Sequence, residues 1–89
     1  MVWQIKFTDQ ARQEIDKLDP QVVRQILRYL RERISGSDDP RRFGKALSGN
    51  LVGLWRYRIA DYRVICRIDK SDLMVLVIRV AHRREVYED

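Results

Sequence analysis

The sequence predicts an α+β domain in the order β-α-α-β-β-β, with two N-terminal helices packed on one face of a mainly antiparallel four-stranded sheet. Three observations predict it. Apolar residues recur at helical spacing between residues 9 and 34. They alternate with polar residues from Trp55 onward, and the opening Val2–Phe7 alternates as well. At 89 residues the chain has room for one domain, residues 1–89, with a small core.

Each element has its own signal. Trp3, Ile5 and Phe7 alternate with Val2, Gln4 and Lys6, as in a half-buried strand. Thr8 offers a hydroxyl cap to a first helix, which has Asp9 in its first turn and Ala11, Ile15 and Leu18 along one side. Asp19-Pro20 opens a second helix, Asp19 as cap and Pro20 where a missing N–H costs nothing. Val23, Ile26, Leu27, Leu30 and Ile34 form its apolar stripe, and Arg24, Arg28 and Arg31 face away. Ser35-Gly36-Ser37 ends it. Residues 38–53 are irregular, with room for a helical turn at Pro40–Phe43 and with Phe43, Leu47 and Leu51 as anchors. Three strands joined by turns at Ala60-Asp61 and Asp69–Asp72 then form an antiparallel meander.

Composition restricts the class further. Apolar residues make up 45% of the chain, which excludes a disordered protein. The single cysteine, Cys66, excludes an internal disulfide and suits a reducing compartment. The N-terminal apolar stretch is too short for a signal peptide, and no run approaches the roughly 20 apolar residues of a membrane span. A soluble, cytoplasmic protein with no membrane partner is expected. Charge is uneven. Residues 1–40 carry seven basic and seven acidic side chains, whereas residues 41–84 carry eleven basic and three acidic ones. Nine of the eleven are arginines. The asymmetry points to a polyanionic partner.

Strand alternation gives that charge a location. With Trp55, Tyr57, Tyr62, Val64, Cys66, Leu76, Ile78 and Val80 turned toward the helices, Arg56, Arg58, Arg63, Arg67, Arg79 and Arg83 share the opposite, exposed face. Arginine pairs bidentately with phosphate oxygens, and like charges packed this closely are unfavourable without an anion. RNA cleavage through the ribose 2′-hydroxyl needs a base, an acid and stabilisation of a highly charged transition state. Arginine supplies the last but is no conventional base. His82, Glu85 and Tyr87 remain as proton carriers in the final segment. No metal-ligand cluster, glycine-rich phosphate loop or nucleophile triad is visible, so neither metal nor cofactor is expected.

Leu47-Ser48-Gly49, Leu54-Trp55-Arg56-Tyr57-Arg58, Asp61-Tyr62-Arg63-Val64-Ile65 and Val80-Ala81-His82-Arg83-Arg84-Glu85-Val86-Tyr87 together resemble the RelE/StbE branch of the RelE/ParE toxins. The resemblance spans essentially the whole chain. It implies a RelE-like fold and an endoribonuclease that cleaves messenger RNA in the ribosomal A site by 2′-hydroxyl attack. The implied partners are ribosomal RNA, messenger RNA and a RelB-like antitoxin that silences the toxin. By motif, Arg63, Arg83 and Tyr87 are the implied catalytic residues and Arg56 and Arg58 the implied RNA-binding pair; the reading of the residues adds His82 as a catalytic candidate and Arg67 and Arg79 as RNA-binding ones. Some relatives carry lysines where Arg56 and Arg58 stand, and His82 is not histidine throughout. A ParE-like gyrase inhibitor, the same fold without nuclease chemistry, is the alternative.

Overall fold

The computed structural model describes residues 2–84. Strand β1 (Gln4–Phe7) packs Ile5 and Phe7 against the core and leaves Gln4 and Lys6 exposed, as alternation requires. Both caps form. The Thr8 hydroxyl accepts the Ala11 N–H at 3.1 Å to start α1 (Asp9–Asp16), and Asp19 accepts the Gln21 N–H at 2.9 Å to start α2 (Pro20–Tyr29). Helix α2 then widens into a π-helical turn at Leu30–Ser35. Regular α geometry drifts by about 40° every four residues, which would carry Ile34 away from the line of Ile26 and Leu30. With the wider turn, all three side chains are buried. Val22 also packs on this core, while Leu27 remains 38% exposed on the flank.

After 3₁₀ turns at Pro40–Phe43 and Gly49–Leu51, which bracket the two-residue strand β2 (Lys45–Ala46), come β3 (Leu54–Ile59), β4 (Tyr62–Asp69) and β5 (Met74–His82). The sheet order is β1-β5-β4-β3-β2, with β1 parallel to β5 and the other pairs antiparallel. The sheet therefore has five strands where the sequence predicted four. Strand β2 is too short to show a period of two, and it pairs only through Lys45↔Arg56 and Ala46↔Trp55.

Strand β5 also departs from the expected alternation. Ile65 pairs with Arg79, but Cys66 pairs with Val77, so Ile78 is an extra residue in a β-bulge. The bulge reverses the facing of the first half of the strand. Val75 and Val77 are fully buried with Val80, whereas Leu76 and Ile78, expected inside, are not part of the buried core. The bulge lies where β1 ends. Beyond Phe7 the outer edge of β5 is covered by α1 and its cap. The Thr8 N–H donates to the Val77 carbonyl at 3.0 Å, the Thr8 hydroxyl to the Ile78 carbonyl at 3.1 Å, and Glu14 accepts the Val80 N–H at 2.7 Å.

Helices and sheet meet over Ala11, Ile26, Leu30, Tyr57, Val64 and Val77. Tyr57 is wholly buried and donates its hydroxyl to the Pro40 carbonyl at 2.8 Å, which pins the irregular segment to the core. Burial pushes this phenol well above its ordinary pKa, so it stays a donor. Gly44 allows the approach, because a Cβ there would lie 2.9 Å from the Tyr57 ring. Tyr57→Phe strands the Pro40 carbonyl and is expected to cost about 1–3 kcal/mol in urea or thermal unfolding. Cys66 is also fully buried, and burial raises its thiol pKa, as suits a packing residue. No helix among the described residues is long and apolar enough to cross a membrane.

Candidate nucleic-acid interface

Register places the arginines. Directly paired residues share a face, so the face opposite the helices carries one row of Arg58, Arg63 and Ala81 and a second of Lys45, Arg56 and Ile65. Arg58 and Arg63 lie directly opposite each other on β3 and β4, at a typical Cβ separation of about 5 Å. Arg67 belongs to a third row, between Leu54 and Leu76, roughly 13 Å along β4 from Arg63.

These side chains do not form the uniformly exposed face expected from alternation. Arg58 and Arg67 are exposed, whereas Arg56 and Arg63 are each only 6% exposed. Arg63 turns back along its own strand, where Nη1 donates to the Tyr62 carbonyl at 3.3 Å. Arg56 is flanked by Lys45 of β2, the strand the sequence did not reveal. Arg56 and Arg63 thus lie beneath the surface of this face, and Arg58 is the exposed cation beside them.

Arg79 leaves the group. Its Nε donates to Glu14 of α1 at 2.9 Å, so it is held at the β5 edge by an ion pair. Arg83 sits past the end of β5, its N–H donating to the Asp61 carbonyl at 2.8 Å. Its guanidinium lies 3.8 Å from the Asp61 carboxylate, with both side chains more than half exposed. A surface pair of this kind is weak and leaves the Arg83 guanidinium accessible. His82 pairs with Tyr62 and meets it edge-on at 5.3 Å between ring centroids, on the face that bears the helices. It is not brought together with Arg63. Its Nδ1 accepts the Arg84 N–H at 3.3 Å. Glu85 and Tyr87 lie outside the described residues.

Sequence reasoning missed Glu14. Its signal was an acidic residue on the helix side nearest Ile15, but only the tertiary fold brings it 66 residues along the chain to Val80. Among the described residues, no group of three or more His, Cys, Asp or Glu side chains is placed to hold a metal ion.

Two helices on a five-stranded sheet, with arginines on the far face, define a small α+β domain. The chain belongs to the ParE toxin family of type II toxin–antitoxin systems, whose family model it matches over residues 5–87. It is thus a toxin of the RelE/ParE superfamily. It is 32% identical to Toxin RelG of Mycobacterium tuberculosis over 98% of each chain. It is 40% identical to Toxin RelE of the same organism over 50 residues, 56% of this chain and 52% of that one. Its structure is similar to a chain of the toxin–antitoxin complex RelBE2 from Mycobacterium tuberculosis, with a TM-score of 0.85 and 30% identity over 96% of this chain and 95% of that one. The intact Escherichia coli RelBE complex contains the same fold at a TM-score of 0.70, with 20% identity over 90% of this chain and 95% of that one.

Proposed function

We propose that this toxin is an endoribonuclease that cleaves messenger RNA in the ribosomal A site and is silenced by a RelB-like antitoxin. The observation that carries the reading is the Arg58–Arg63 pair beside Arg56. Three guanidinium groups on neighbouring strand positions concentrate positive charge on this face, and guanidinium groups pair bidentately with phosphate oxygens. The similarity to RelG and RelE toxins supports the same reading.

In the proposed reaction, the 2′-oxygen of the ribose attacks the adjacent phosphorus as its proton passes to a base. The 5′-oxygen of the next nucleotide leaves and takes up a proton. Charge accumulates on the non-bridging phosphoryl oxygens, where Arg63, Arg58 and Arg83 stabilise it. Arg56 and Arg67 hold flanking phosphates. Tyr87 is assigned the proton transfer, and His82, on the other face of the sheet, orients the strand end through Tyr62. Tyr87→Phe keeps the ring and removes the hydroxyl, and a single-turnover cleavage rate lowered by about 100-fold or more is expected. An unchanged rate would remove Tyr87 from the chemistry.

The match to a ParE family model favours a second reading, inhibition of DNA gyrase. Two parallel reactions with purified toxin decide between them. A translating messenger should yield fragments ending within ribosome-bound codons, and gyrase supercoiling should continue. Intact messenger with arrested or cleaved DNA would establish the second reading instead. The antitoxin is expected to fold over this domain on binding, with a large negative heat-capacity change by calorimetry.

A further inference from the structure

We infer that Glu14 of α1 is a positioning residue that locks the β5 bulge and so decides which of the last strand residues reaches the arginine face. Its two carboxylate oxygens have separate tasks. Oε1 accepts the Val80 N–H at 2.7 Å, and Oε2 accepts from Arg79 Nε at 2.9 Å. Both donors lie immediately after Ile78, the extra residue of the bulge.

The bulge sets which side chains of β5 face the core. Before the bulge, Val75 and Val77 face the core, and after it Val80 does, so an odd-numbered series gives way to an even-numbered one. With the bulge in place, Ala81 pairs with Arg63 and His82 with Tyr62. In an unbulged strand continuing the phase of Val75 and Val77, Ala81 and Arg83 would turn toward the helices and His82 would enter the arginine row. The choice between Arg83 and His82 at the site is therefore made at residues 78–80, about 10 Å of strand away.

Strand β1 ends opposite Val77, so beyond it the outer N–H groups of β5 have no strand partner on that side. Glu14 supplies the acceptor for Val80, and its charge holds the Arg79 side chain at the edge and out of the arginine row. Its carboxylate is mostly shielded, at 20% exposure, so the hydrogen bond is protected from competing water. Helix α1 is in turn fixed by its Thr8 cap to Val77 and Ile78, so one short helix grips the bulge on both sides.

The inference rests on the nuclease reading only for its effect on rate, so its test includes readouts independent of activity. Glu14→Met keeps side-chain length and helix propensity but has no strong acceptor, and Glu14→Gln keeps an amide oxygen for Val80. By NMR on the folded proteins, Glu14→Met is expected to speed Val80 amide exchange by at least about tenfold and to weaken the His82–Tyr62 ring contact. Its kcat for ribosome-bound messenger should fall on the order of 10- to 100-fold, with a smaller change in KM. Glu14→Gln should restore the Val80 protection, the ring contact and most of kcat. A Met variant with wild-type exchange and ring contact overturns the inference, as does a Gln variant as perturbed as Met. If Glu14→Met does not fold, Glu14→Ala, which also lacks an acceptor and keeps helix propensity, is read by the same two signals with the same expected losses. A wild-type protein that leaves messenger intact refutes the nuclease reading, and the exchange and ring-contact results still judge Glu14.

Discussion

Replacing Arg63 or Arg83 with alanine is expected to lower messenger cleavage by about 100-fold or more, the usual scale for one electrostatic stabiliser of a charged transition state. Toxicity on expression should be lost in parallel. The two variants differ in what else they change. Arg83 is exposed, so Arg83→Ala should keep the wild-type melting temperature within the small range typical of surface substitutions. Arg63 is 6% exposed on the strand between β3 and β5, and its loss also removes packing from the sheet. Its rate must therefore be normalised to the folded fraction, measured by circular dichroism. Arg63→Lys separates charge from shape, because an ammonium keeps the charge and lacks the planar fork. A strong defect in the lysine variant indicates bidentate phosphate contact. Either alanine variant cleaving at the wild-type rate when fully folded would refute the assigned role.

The fold was legible because its strongest signals are local. Thr8 and Asp19 are side-chain caps with a direct physical cause, and both form where the sequence places them. The inward half of the alternation in β3 and β4 also held, with Tyr57, Val64 and Cys66 buried as expected. Three features were not legible, and each depends on partners distant in sequence. The two residues of β2 become a strand only because β3 lies beside them. The β5 bulge is invisible in a run as apolar as Met74–Ala81, where either phase places hydrophobic residues on both faces. The diversion of Arg79 to Glu14 requires knowing where α1 crosses the sheet edge. The candidate site was accordingly half legible. The strands that carry Arg56, Arg58 and Arg63 were legible, while the burial of Arg56 and Arg63, the ion pair that holds Arg79 and the placing of His82 against Tyr62 came from tertiary packing.

The phase of β5 gives the largest expected stability effect, and a pair of aspartates reads it directly. Val77→Asp puts a carboxylate at a fully buried position among Val75, Val64 and Ile26, and its desolvation should exceed about 4 kcal/mol. For a domain this small that is a large part of the total stability, so the variant should be largely unfolded by circular dichroism at 25 °C. Leu76→Asp, one residue earlier, should behave oppositely. Leu76 pairs with Lys6 on one side and Arg67 on the other, so an aspartate there stands between two cations on the solvent-facing side of the sheet. Cross-strand pairs of opposite charge contribute roughly 0.2–1 kcal/mol each and offset part of the lost apolar contact. The Leu76 variant should therefore fold and melt cooperatively, with a change of no more than about 2 kcal/mol. Uninterrupted alternation from Val80 back through Ile78 and Leu76 demands the reverse order, with Leu76→Asp unfolded and Val77→Asp tolerated. Comparing two melting curves thus settles whether the strand carries its bulge, and with it which face Arg83 is given to.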